Sequence, residues 1–340
     1  MPSAALPPDL HAVAREAARD GGRPAPPRTA RILGLGSYVP AEVIPNGPIA
    51  ERMGVDDEWI VKRTGIHARR RVAPTERLSD IATFAGRRAL QDAGVEPLDV
   101  DLVLVATSTA DEIFPNAAPV VAQALGTEGA GAMDICAACT GFLSALSLAA
   151  AQVETGRAQR VLVIGAEALT RITDFDDKKT GALFGDAAGA VVVGADGEGE
   201  IGHFDLASDG GLADTIVATH EDPYIRMDGV STFKVAVQRL SESTVATLAR
   251  EGLALEDVDL FVYHQANSRI IRAIGERLDL EPAKVADYIG QYGNTSAASI
   301  PLTLSLLRED GRLRAGHRVL LGAIGAGFVW GTGLMTWGRS

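Results

Sequence analysis

Phe84-Ala85-Gly86-Arg87-Arg88-Ala89-Leu90-Gln91-Asp92-Ala93-Gly94, followed by Asp99-Val100-Asp101-Leu102-Val103-Leu104-Val105-Ala106-Thr107, reads as three units. They are an amphipathic helix closed by glycine, a short acidic loop and a buried apolar strand. The same pattern returns in Thr244-Val245-Ala246-Thr247-Leu248-Ala249-Arg250-Glu251-Gly252 and Asp257-Val258-Asp259-Leu260-Phe261-Val262-Tyr263-His264. The parallel continues along the chain. Cys139 opens a helix some distance after the first strand, and Asn294-Thr295-Ser296 opens one at a similar distance after the second. Each half closes on a Gly/Ala-rich strand, at 185–194 and 325–337. Alternating helix and strand predict mixed or parallel sheets with helices on their faces. The fold class is therefore α/β with two duplicated halves. Packing the halves together would bring Cys139, His264 and Asn294 near a shared axis.

Composition bounds the function. A chain of 340 residues can bury the core of one large domain or two of typical size. Hydrophobic residues make up 46% and charged residues 22%, an ordinary globular balance. No apolar run is long enough to cross a bilayer, and no signal-peptide pattern opens the chain. Two cysteines three apart cannot staple a chain of this length, which predicts a reducing cytoplasm. A net charge of −12 argues against nucleic acid as a partner. Residues 1–28 read as a separate extension, with a short helix at 10–18 and a Gly/Pro linker at 21–27. Halves at 29–200 and 201–340 follow.

The chemistry is concentrated in three places. In Met133-Asp134-Ile135-Cys136-Ala137-Ala138-Cys139-Thr140-Gly141-Phe142 a strand-like run breaks into a helix predicted over 139–155, with Gly156 as its stop. A thiol in the first turn faces unpaired N–H groups and the positive end of the helix dipole, which favours thiolate. Cys136 makes a Cys-x-x-Cys spacing, but no second pair exists, so core packing on a buried strand is expected rather than zinc or redox chemistry. Among six histidines only His264 ends a buried strand beside a polar Gln-Ala-Asn loop; His11, His67, His203, His220 and His317 read as surface or loop residues. Asn294 is a candidate fixed donor, with helix N-capping as its other reading. Asp186 reads as a turn or structural carboxylate. A Cys, a His and an Asn at strand ends point to acyl chemistry on a thiol.

Several motifs carry a family resemblance. They are Asp57-Glu58-Trp59-Ile60-Val61-Lys62-Arg63-Thr64-Gly65-Ile66, Ala137-Ala138-Cys139-Thr140-Gly141-Phe142, Phe184-Gly185-Asp186-Ala187-Ala188-Gly189-Ala190, His264-Gln265-Ala266-Asn267, Gly293-Asn294-Thr295-Ser296-Ala297-Ala298-Ser299 and Gly325-Ala326-Gly327-Phe328-Val329-Trp330-Gly331. With them, the chain from about Ala30 onward resembles β-ketoacyl-acyl-carrier-protein synthase III of the thiolase-like condensing enzymes. The resemblance implies a layered αβαβα homodimer that condenses an acyl-CoA primer with malonyl-acyl carrier protein, with no metal and no cofactor beyond its CoA substrate. It implies Cys139 as nucleophile, the backbone N–H groups of Cys139 and Ala326 as oxyanion hole, and His264 and Asn294 as donors to the enolate. It also implies that Trp59, Arg63, Lys178, Asn267 and Arg269 hold CoA, and that Phe114 and Ile324 bound the acyl pocket. Two positions depart from the family. Lys178 stands where Arg is frequent, and Lys neither stacks nor forks as Arg does; Ile324 stands where Phe is common. Lys234, Arg269, Arg272, Arg277 and Lys284 form a basic group suited to an acidic carrier protein. A relative that moves an acyl group to oxygen or nitrogen is the alternative reading. A non-catalytic scaffold is the third, and Cys139 argues against it.

Overall fold

A computed structural model describes residues 28–339. The helix and linker expected within 1–27 lie outside the described residues.

The first half supplies β1 (Arg31–Tyr38), β2 (Glu42–Pro45), β3 (Ala68–Arg71), β4 (Leu102–Ala106), β5 (Gly131–Ile135), β6 (Arg160–Ala168) and β7 (Asp186–Gly194). Five of them form a sheet in the order β1-β7-β6-β4-β5. β4 runs parallel to β5 and β6, while β7 is antiparallel to β6 and β1. The second half supplies β8 (Glu200–Ser208), the short pair β9 (Ile216–Val217) and β10 (Arg226–Met227), then β11 (Leu260–Tyr263), β12 (Arg318–Gly325) and β13 (Val329–Thr336). Its main sheet has the order β11-β12-β13-β8, with β11 parallel to β12 and β13 antiparallel to both neighbours. Strand for strand this is the first sheet again: β8 answers β1, β13 answers β7, β12 answers β6 and β11 answers β4. A lone parallel bridge from Val285 to Phe261 stands where β5 stands in the first half.

Burial explains the layering. The helix Leu78–Ala93 turns Leu78, Ile81, Ala82, Ala85 and Ala89 onto Val103, Val105, Leu162, Ile164 and Val192 of the first sheet. It stops at Gly94, whose φ of 63° lets its N–H cap the carbonyls of Leu90 and Gln91. Helices Gly141–Glu154 and Ser299–Glu309 share one core with both sheets, where Phe142, Leu146, Ile300 and Leu304 meet Val163, Val191, Val262 and Leu321. A helix covered on two sides must be apolar nearly all round, which is why this layer is built from Ala, Leu, Ile and Phe. Helices Gly229–Arg250 and Ser268–Arg277 cover the outer face of the second sheet through Ala236, Leu240, Ile270 and Ile274. The result is five layers, αβαβα.

Asp186 behaves as the structural carboxylate the sequence suggested. It is fully buried and accepts from Val72 N–H, Thr170 N–H and the Thr170 hydroxyl. It thereby ties β7 to the segment after β3 and to the turn after β6. Asp186→Ala strands three donors and is expected to lower stability by roughly 3 kcal/mol or more. Denaturant unfolding checks this, and a midpoint equal to wild type would show that the network is dispensable.

Candidate active site

The nucleophile motif folds differently from the expected helix start. β5 ends at Ile135, Ala138–Thr140 form a 3-10 turn, and the α-helix begins at Gly141. Ala138 carries a left-handed φ of 46°, which swings the chain so that Cys139 sits ahead of the helix. The end is as expected, with Gly156 at φ 70° donating its N–H to the Val153 carbonyl. Two expectations are corrected here. Cys136 is exposed rather than packed in the core, because β5 is the edge strand of its sheet. The Cys139 thiol is not held as a thiolate. Burial pushes it up to about 12, the neighbouring Glu167 charge adds to this, and a hydrogen bond to Ser296 only partly opposes it. Desolvation outweighs the helix dipole, so the resting nucleophile is a neutral thiol.

The second half delivers its groups through the equivalent turn of the duplication. Ser296–Ala298 is again a 3-10 turn ahead of a helix, and Ser296 again has φ 46°. Asn294 is 6% exposed, and its backbone is pinned to the first half, its N–H to Leu183 O and its carbonyl to Gly185 N–H. Gly185 is required there, since a Cβ would lie 2.2 Å from Tyr292 O. The Asn294 side-chain oxygen accepts from Ser296 N–H at 2.9 Å. This turns the amide oxygen inward and leaves the NH2 group as the available donor. Asn294 is not the helix N-cap, since Thr295 and Ala298 hold those positions; its side chain closes a local turn onto Ser296 N–H instead.

His264 follows β11 and is 3% exposed. Its Nδ1 lies 2.7 Å from the Ser299 hydroxyl. Ser299 Oγ also accepts from Gln265 N–H at 3.4 Å, so its own proton is free for Nδ1. With Ser299 donating to Nδ1, the imidazole carries its proton on Nε2, which is buried with no partner among the described residues. Burial pushes the imidazole down to about 3, so it is neutral. A neutral ring in that tautomer can serve as a hydrogen-bond donor through Nε2. Gln265 stiffens the loop by donating to Tyr263 O and Ala286 O and accepting from Tyr288 N–H.

One segment, 294–299, thus gathers the site: its 3-10 turn packs on the turn that holds Cys139, Asn294 offers an amide and Ser299 faces the His264 ring. The glycine turn closes the other side. A Cβ on Gly325 would lie 2.6 Å from Cys139 N, so only glycine lets the end of β12 approach the Cys139 backbone. Ala326 follows at once and is half-buried.

The remaining candidates spread outward. Trp59 is half-buried on helix Asp57–Thr64, with the Arg63 guanidinium 4.0 Å over its ring. Asn267 caps helix Ser268–Arg277, accepting from Arg269 N–H and donating to Arg63 O, which joins the Trp59 helix to the His264 loop. Lys178 is exposed, and Arg269 lies 5.7 Å over the Phe233 ring. Lys234, Arg272 and Arg277 are exposed on the two outer helices. Lys284 is not free for a partner, since its ammonium donates to Glu256 O and Val258 O. Phe114 is 84% exposed on the loop after β4, whereas Ile324 is buried in the outer core with Phe261 and Phe328. His67 and His220 are exposed, and His203 and His317 are half-buried. Ser296, Ser299 and Glu167 were not singled out from the sequence. A carboxylate within the apolar run of β6 was the available signal for Glu167.

Comparison with known proteins bears on the family and the fold. Two family descriptions match: 3-oxoacyl-[acyl-carrier-protein] synthase III over residues 133–210, and the C-terminal region of the same enzyme over 248–337. A β-ketoacyl-[acyl-carrier-protein] synthase III of Geobacillus kaustophilus is 44% identical over 311 residues, covering 91% of this chain and 99% of the relative. The crystal structure of 3-oxoacyl-[acyl-carrier-protein] synthase III from Aquifex aeolicus superposes with a TM-score of 0.88 at 40% identity, covering 91% of this chain and 100% of that one. The priming β-ketosynthase of the R1128 polyketide pathway superposes with a TM-score of 0.89 at 35% identity, covering 94% and 100%.

Proposed function

This chain belongs to the 3-oxoacyl-[acyl-carrier-protein] synthase III family, and from that membership we propose a decarboxylating condensation of an acyl-CoA primer with malonyl-acyl carrier protein. The observation that supports the chemistry is the buried His264 ring, with Nδ1 against the Ser299 hydroxyl and Nε2 without a partner among the described residues, together with an Asn294 side chain whose oxygen is engaged by Ser296 N–H.

The Cys139 sulfur attacks the primer thioester carbonyl. The oxyanion is held by the N–H groups of Cys139 and Ala326, CoA leaves as the thiol with the proton lost by Cys139, and an acyl-cysteine remains. Because the thiol is neutral at rest, proton loss and attack are coupled. Malonyl thioester then binds and releases carbon dioxide. The electron pair moves into an enolate whose oxygen takes hydrogen bonds from His264 and Asn294. The enolate carbon attacks the acyl carbonyl, a carbon–carbon bond forms, and the Cys139 sulfur leaves and recovers a proton. Donors suited to an enolate favour this over acyl transfer to oxygen or nitrogen, where no enolate forms. The product starts a fatty acid or polyketide chain.

CoA is read as lying along Trp59, Arg63, Lys178, Asn267 and Arg269, with carrier protein meeting Lys234, Arg269, Arg272 and Arg277. Free thiols at the site suit the reducing cytoplasm, and no described helix is long and apolar enough to cross a membrane. The assay is purified protein with a panel of acyl-CoAs and malonyl-carrier protein. A 3-oxoacyl-carrier product two carbons longer than the primer is expected; acyl esters or amides without carbon dioxide would support the alternative.

The dimer belongs to the same reading. β5 is an edge strand with Met133 exposed, and Ile113 and Phe114 stand 77% and 84% exposed beside it. An unpaired edge and apolar loop of this kind suit coverage by a second copy. Phe114 would then bound the partner's acyl pocket. Phe114→Ala is expected to shift preference towards bulkier primers while CoA binding is retained. A primer profile identical to wild type, or an active monomer in light scattering, would remove Phe114 from that role.

A further inference from the structure

We propose that Glu167, at the end of β6, is a positioning residue: through the Ser296 hydroxyl it locks the turn that aims the Asn294 amide at the enolate. The inference rests on the condensing-enzyme reading above.

Glu167 is completely buried, and its hydrogen-bond partners are all donors. The Thr109 hydroxyl reaches it at 2.7 Å, the Ser296 hydroxyl at 3.0 Å and Ser108 N–H at 3.2 Å. Such a shell asks for a carboxylate, although burial pushes the group up to about 7. Ser296 is gripped from two sides. Its hydroxyl goes to Glu167 on the first half, and its N–H goes to the Asn294 side-chain oxygen. Ser296 holds a left-handed φ of 46°, a conformation that non-glycine residues avoid unless tied. The Glu167 bond is the tie. Without it the turn is free to relax, and the Asn294 oxygen loses the N–H that orients its amide. A serine held only for packing would not need a buried carboxylate from the opposite half.

The test is a double-mutant cycle between Glu167→Gln and Asn294→Ala, read separately for Cys139 acylation and malonyl decarboxylation. Gln places an NH2 group among donors and cannot satisfy them. Glu167→Gln is expected to cut decarboxylation kcat about tenfold or more with KM for malonyl-carrier protein within about twofold, and to add less than about twofold in the Asn294→Ala background. Ser296→Ala, which removes only the hydroxyl arm, should give the same non-additive decarboxylation loss even if Glu167→Gln folds poorly. Additive losses, a loss confined to KM, or wild-type decarboxylation in both variants would overturn the proposal. Absence of carbon dioxide release from wild type would instead overturn the condensing-enzyme reading itself.

Discussion

Cys139→Ala is expected to leave a folded protein that carries no acyl group. The Cys139 residue is half-buried although its thiol points inward, and removing the sulfur leaves the bond from the Ser296 hydroxyl to Glu167 intact. Stability should therefore change by no more than about 1 kcal/mol. Chemistry should fall by more than about a thousandfold, because no other group near the glycine turn can form the thioester. Cys136 is an exposed thiol three residues away, so the readout must locate the adduct. Intact-mass analysis after incubation with acyl-CoA, followed by peptide mapping, should find one adduct per wild-type chain on Cys139 and none on the mutant. A full-stoichiometry adduct on the mutant would remove Cys139 from the mechanism.

His264→Ala and Asn294→Ala are expected to separate the two half-reactions. Both residues face the second step as donors, so each should keep substantial Cys139 acylation while malonyl decarboxylation falls on the order of a hundredfold or more. The imidazole titrates near 3, pushed down by burial, and is neutral at any higher pH. Wild-type decarboxylation should therefore show no acidic limb from His264 between about pH 5 and 8. Carbon dioxide release at the wild-type rate in either mutant would refute the donor role.

Much of this site is legible in the sequence because it lies at element boundaries. Cys139 and His264 follow strands as their runs suggest, whereas Asn294 follows the short helix Ile289–Tyr292 rather than a strand; the duplicated helix–loop–strand pattern implies that the two halves converge. The parts that were missed act across the halves. Ser299 looks like any serine in a small-residue helix start, and only the fold brings it to His264 Nδ1. Glu167 has its partners 58, 59 and 129 residues away in sequence, at Thr109, Ser108 and Ser296. The misreadings of Cys136 and the Cys139 thiolate share one cause. Both are settled by solvent exposure, which depends on strand order and on how deeply the turn is covered. A periodic pattern does not contain either quantity.

The account is tested most directly by following a single turnover in two additions. Acyl-CoA alone should add one acyl mass to the protein, mapped to Cys139, with one equivalent of CoA thiol released. Malonyl-carrier protein should then return the protein to its unmodified mass, with one equivalent of carbon dioxide and a 3-oxoacyl-carrier product two carbons longer than the primer. An adduct that discharges onto a hydroxyl or amine acceptor without carbon dioxide, or that stays on the protein after malonyl-carrier protein is added, would contradict it.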